Sequence, residues 1–219
     1  LNLIGNIYPS AIDWDHAGMV KVGLVDGIWI YSEANATWGS WVGGVGVHMA
    51  SSVIPVGQGF FVQATEPYPS LSMDNTVRLH STQTYYKETP ADLIRLQVTS
   101  QNWMDETVVY FKEIADNGLD ANDGEKFFSY HPEMMNIYSV NSEKNLAINA
   151  LKTIENGMTI PVGFMPAFDG NYTINATEYT FGEDIEIFLE DLQTGTMQSL
   201  TVDPVYMFSA NVDDNPDRF

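Results

Sequence analysis

Apolar and polar residues alternate with a period of two along most of this chain. GIWIYSEA, GQGFFVQAT, TVRLHS, LIRLQV, ETVVYFKE, NYTINATEY, IEIFLEDL and VYMFSA all carry the pattern, which lines one face of a half-buried strand with apolar side chains. Clusters of Gly, Pro, Asn and Asp separate these segments at short intervals. Many short strands joined by polar turns predict an all-β fold, two tandem β-sandwich units of jelly-roll type with very little helix, rather than parallel βαβ units. In NLAINALKTIEN a short helical turn competes with strand plus loop, because Ile, Asn and Thr are weak helix formers. No period recurs, which disfavours a solenoid or propeller.

The alternation breaks at TQTYYKETPAD, a polar stretch with one Pro, and a boundary is expected near residue 90. The first unit, residues 1–90, is rich in Trp and Gly. The second, residues 91–219, carries an acidic loop at 115–127. With 219 residues and 44% hydrophobic content, the chain can bury substantial cores. Leu1 in place of Met, and LNLIGN reading as the interior of a strand, give the expectation of a piece of a longer protein.

Nine basic residues against twenty-nine acidic ones leave a formal charge of −20, which repels phosphate backbones and anionic lipid surfaces and disfavours nucleic acid as a partner. The absence of cysteine excludes disulfides, zinc thiolates and a cysteine nucleophile. No apolar run approaches the roughly 20 residues of a spanning helix, so no membrane insertion is expected.

Signals for catalysis are missing. His16, His48, His80 and His131 have no companion at HExxH spacing, and no GxSxG elbow occurs. Carboxylate pairs such as Asp13 with Asp15 or Glu190 with Asp191 exist, but sequence does not report the separation that would give them a mechanism. The glycines of GQGFFVQA lack the Lys and helix of a phosphate loop and read as turn residues. No catalytic residue is assigned.

Two stretches do invite a ligand. Trp14, Trp29, Tyr31, Trp38 and Trp41 crowd one region, and flat aromatic rings offer sugar C–H groups apolar area at little entropic cost. Trp29 and Tyr31 share a strand face. Trp38 and Trp41, flanked by Gly and Ser, are predicted to lie exposed on a loop as the ligand-binding pair, the alternative being that all these rings fill a core. The other stretch is ADNGLDANDGEKF. Oxygens of Asp116, Asp120, Asn122, Asp123 and Glu125 fall at alternating spacings that a turning backbone can converge on one hard cation, calcium. The EF-hand pattern is not met. Gly118 and Gly124 equally suit an ordinary polar turn, with Lys112 and Lys126 neutralising part of the charge.

NLIGNIYPSAIDWD, IPVGQGFFVQA, VRLH, LIRLQV, DETVVYFKE, LAINAL, IPVGF, NYTINA, FLEDLQTGT and the closing DRF occur in an order that resembles a module common in large secreted and cell-surface proteins of Bacteroidetes, typically found just ahead of the type IX secretion sorting domain. That module usually begins Asn-Pro-Tyr-Pro-Ser, whereas this chain has Asn6-Ile7-Tyr8-Pro9-Ser10. The resemblance implies export to the cell surface or medium and neighbouring domains in a parent chain. It implies no activity. The expected function is a noncatalytic extracellular module for adhesion, matrix assembly or glycan contact. The alternatives are a structural spacer that positions a catalytic or sorting domain and, third, a polysaccharide-acting enzyme.

Overall fold

The computed structural model describes residues 1–79, 92–182 and 184–219. Ten strands precede the gap: β1 (Asn2–Gly5), β2 (Ala11–Asp13), β3 (Met19–Val22), β4 (Gly27–Ser32), β5 (Thr37–Val42), β6 (Val45–Val47), β7 (Val53–Ile54), β8 (Gly59–Val62), β9 (Ser70–Met73) and β10 (Arg78–Leu79). Ten follow it: β11 (Leu93–Ser100), β12 (Trp103–Phe111), β13 (Gly124–Glu125), β14 (Asn136–Asn141), β15 (Lys144–Leu151), β16 (Val162–Met165), β17 (Gly170–Tyr179), β18 (Phe188–Asp191), β19 (Thr196–Ser199) and β20 (Val205–Ala210). The only helical turn among the described residues is a 3-10 turn at Asn75–Val77. The protein is all-β, and NLAINAL forms strand β15.

Five strands pair in the order β1-β8-β4-β5-β6, and a larger sheet runs β16-β14-β15-β12-β11-β17-β20 with β13 beside β15. Alternation decides what each face meets. On β4, Ile28 turns to a core shared with Trp14, Ile54 and Phe60 under the small sheets β10-β2-β7 and β3-β9, while Trp29 turns the other way to meet the large sheet. On β12, Val108 and Tyr110 face Trp29, Val42 and Val47, and Val109 faces a third core with Ile137, Phe164, Tyr172 and Phe208. The five-stranded sheet is therefore a middle layer, apolar on both sides.

The boundary expected near residue 90 falls on residues 80–91, outside those described. The cluster joining Val25, Trp29 and Val42 to Leu93, Val108 and Ile148 draws on chain from both sides of it.

The C-terminal residues close the large sheet on itself. Val162 donates to the Phe219 carbonyl at 2.8 Å, Phe219 returns a bond at 3.1 Å, and Phe164 donates to Pro216 at 2.8 Å. Arg218, 3% exposed, lays Nη2 and Nε against the fully buried Asp191 at 2.8 and 3.1 Å. Its guanidinium also lies over the Phe208 ring. FLEDLQTGT and DRF, twenty-odd residues apart in the chain, thus meet in one buried ion pair.

Candidate functional site

The aromatic residues assemble in the seam between the two large sheets. Trp29 and Tyr31 leave β4 on one face, and Trp38 stands opposite Tyr31 on β5. Phe61 of β8 pairs with Trp29. Trp38 lies 5.5 Å from Phe61, 5.4 Å from Phe127 and 5.2 Å from Tyr31, ring centre to ring centre. Phe127 stacks on Trp29 at 5.2 Å. Tyr130 completes the row, 6.2 Å from Trp38 and 6.1 Å from Tyr31, and is 79% exposed. It is carried there because the Ser129 hydroxyl donates to the Ala36 carbonyl at the tip of the β4–β5 hairpin. The outcome is an aromatic row whose floor is half-buried and whose outer end faces water.

Trp38 and Trp41 do not lie on a loop. Both belong to β5, paired throughout with β4. The misleading signal is GSWVGGVG: only Gly43 and Gly44 turn the chain, at φ 59° and 96°. Gly46 is there for close approach, since a Cβ would lie 2.1 Å from the Ala50 carbonyl oxygen. Trp38 joins the row. Trp41 faces the opposite core at 9% exposure and donates Nε1 to Asp15 at 2.9 Å, so the two tryptophans are not a pair.

The acidic loop folds inward on its own amides. Asp120 accepts from the backbone N–H groups of Asp116 at 2.9 Å and Asn122 at 2.6 Å, and from the Asn122 side chain. Asp123, 5% exposed, accepts from Asp120 at 2.8 Å and from Ala150 at 2.9 Å. Burial pushes its carboxyl up to about 6, against the pull of those two N–H bonds. The Tyr110 hydroxyl below is likewise raised by burial, then by Asp123, Asp120 and Asp26. Asn122 takes Lys112 on its side-chain oxygen at 3.2 Å. Asp116 contributes its backbone N–H rather than a converging carboxylate. Glu125 accepts from Gln63 at 3.0 Å and Lys144 at 3.2 Å. Among the described residues, no group of three or more His, Cys, Asp or Glu is arranged to hold a metal ion.

Sequence reasoning missed a second polar centre, buried where the sheets meet. Asp105, 1% exposed, receives Lys126 Nζ at 2.6 and 2.7 Å, the Ile137 amide at 2.7 Å and lies 2.7 Å from His48 Nε2. Burial alone would raise its pKa, but the Lys126 ammonium and the His48 contacts hold it below the usual carboxylate range. Glu106 takes the His48 amide at 2.6 Å and Arg95 at 3.1 Å, and Arg95 reaches the Gly46 carbonyl at 2.9 Å. His48 and Met49 adopt left-handed φ of 51° and 59°, a conformation costly for such residues and here pinned by these bonds. The cluster is enclosed and offers no substrate access. Tyr130, Gln63 and Lys144 were also missed.

The chain belongs to the family described as Domain of unknown function (DUF8693), which matches it over residues 25–219. No curated protein and no solved structure shows a significant match.

Proposed function

Since the family assigns no activity, we propose that the chain is a noncatalytic module of an exported cell-surface protein and contacts glycans through the row formed by Tyr31, Trp38 and Tyr130. The observation that carries the reading is Tyr130, a large ring 79% exposed yet set edge-on to Trp38 and tilted against Tyr31, both half-buried. Isolated exposed aromatics are common, whereas a braced one backed by a row presents rigid apolar area that loses little entropy on binding. The charge of −20 favours neutral or cationic polysaccharides over anionic ones. The extracellular setting rests on the ordered motifs that resemble a type IX-exported module.

A spacer role draws on a different observation, the enclosed Asp105 cluster that fixes one sheet against the other. Titration of the protein with a panel of neutral and cationic oligosaccharides separates the two. Tyr130→Ala is expected to weaken binding about tenfold, while Phe188→Ala, a 50% exposed ring on the far β18–β19 hairpin, leaves it unchanged. Silence across the panel, or equal loss in both variants, would reject the glycan reading.

A further inference from the structure

The aromatic row does not end at Phe61 and Phe127. Two residues further along one segment and two residues back along the other, Gln63 faces Glu125 at 3.0 Å, a step of roughly 7 Å along each extended chain. Lys126, between Glu125 and Phe127, is turned into the core, so Glu125 and Phe127 emerge on the same side. Beyond the Gln63–Glu125 pair opens a cavity of about 330 Å³ lined by Val25, Thr65, Asp120, Asp123, Lys144 and Leu146, with Glu125 at its edge. That volume lies at the small end of ligand sites, matching one ring rather than a long chain.

We propose that this cavity receives a sugar residue bearing a primary ammonium, so that the glycan lying on the aromatic row is an amino-sugar polymer; the inference rests on the glycan reading above. Three carboxylates, Asp120, Asp123 and Glu125, line the space against the single ammonium of Lys144. Lys144 is the most exposed partner, its side chain 52% exposed and its contact with Glu125 at 3.2 Å. An incoming ammonium takes the place of Lys144 on Glu125 without leaving a charge unpaired, while Lys144 swings into water at little cost. Val25 and Leu146 supply apolar wall for the ring carbons. An N-acetylated ring is bulkier and uncharged, and a uronic acid would bring a carboxylate against three others.

Calorimetric titration with glucosamine oligomers and with N-acetylglucosamine oligomers of the same length tests this, using the native chain, Glu125→Gln and Tyr130→Ala, each first shown to melt cooperatively. The expected result is a preference of about tenfold for the deacetylated oligomer, the size of one charge-assisted contact. In Glu125→Gln the preference falls to within about threefold, chiefly through weaker binding of the deacetylated oligomer; Tyr130→Ala weakens both ligands together. Equal affinity of the native chain for the two oligomers overturns the proposal, as does a preference untouched by Glu125→Gln. Either result leaves the glycan reading standing, provided Tyr130→Ala still weakens binding. Failure of both oligomers and of the neutral panel sinks that reading and the proposal together.

Discussion

Asp191 and Asp105 are equally deep in the molecule, at 0% and 1% exposure, and are paired with different cations. Asp191 is held by the fork of Arg218, which binds both carboxylate oxygens, with the Tyr206 hydroxyl at 2.8 Å and the Gln193 amide at 3.0 Å. Asp105 is held by several: Lys126, His48 and the Ile137 amide, brought from three segments. The first joins the β18–β19 hairpin to the C-terminal segment; the second ties the five-stranded sheet to the large one. A planar guanidinium fixes the carboxylate it grips, whereas an ammonium does not, and Asp105 takes its further ring contact, His48, from beside the other sheet. Partners drawn from both sheets are what the junction gains at Asp105.

Replacing Arg218 is therefore the severest test. Arg218→Ala leaves Asp191 buried without a cation and should cost about 3 to 5 kcal/mol, lowering the melting temperature by on the order of 10 °C. Arg218→Lys keeps the charge but not the fork and should recover only part of the loss. Lys126→Met ranks second, at about 3 kcal/mol, because a flexible ammonium gives up less fixed geometry than the Arg218 fork and the His48 ring still faces Asp105. Chemical denaturation of the three variants decides the order. The comparison breaks if Lys126→Met proves the more damaging.

How legible these features were follows from the same contrast. FLEDLQTGT and DRF entered only as pieces of a resemblance, and the ion pair between them was not legible, because Asp191 and Arg218 lie 27 residues apart. The strand pattern was legible where one face is wet: alternation on β11 and β20 records directly which face each residue buries, while β12 lies between two cores and is buried on both faces. The Asp105 cluster left no trace in the sequence, because His48 and Lys126 lie 57 and 21 residues away from Asp105 and nothing local distinguishes them from surface charges. Trp38 and Trp41 were misjudged because glycine marks both turns and close approaches. Only the tertiary contact of Gly46 with Ala50 tells the two apart.

Acid titration sharpens the difference between carboxylates that hold a cation and one that does not. Asp105 and Asp191 both have lowered pKa values in the fold: burial opposes ionisation, but Lys126 and His48 outweigh it for the first, Arg218 and Tyr206 for the second. Their contribution is full above the unfolded value of about 3.9 and is lost as pH falls through their folded values. Asp123 has the reverse sign. Its folded carboxyl, at about 6, binds a proton before the unfolded one does, so stability rises as pH falls from about 6 toward about 4. Melting temperatures should pass through a maximum in that window, and Asp123→Asn should flatten its upper limb.

The smallest expected effect concerns calcium at the acidic loop. Asp116, Asp120, Asn122, Asp123 and Glu125 would form a site only if their oxygens converged, and four uncompensated carboxylates on one turn would cost on the order of 1 kcal/mol per close pair. The loop relieves that repulsion by other means. Asp120 and Asp123 spend their oxygens on backbone N–H groups of Asp116, Asn122, Asp120 and Ala150, and Glu125 faces Lys144 and Gln63 across the cavity. Backbone amides thus do for Asp120 and Asp123 what Arg218 and Lys126 do for Asp191 and Asp105. A cation would have to displace those amides and leave them unpaired, each at a cost of about 1 to 3 kcal/mol. Millimolar calcium should therefore move the melting temperature by less than about 2 °C relative to chelator, in the native chain and in Asp120→Ala with Asp123→Ala alike. A calcium-dependent rise in the native chain that the double variant loses would show that the loop reorganises around a metal, and would place these acids with the cation-held carboxylates instead.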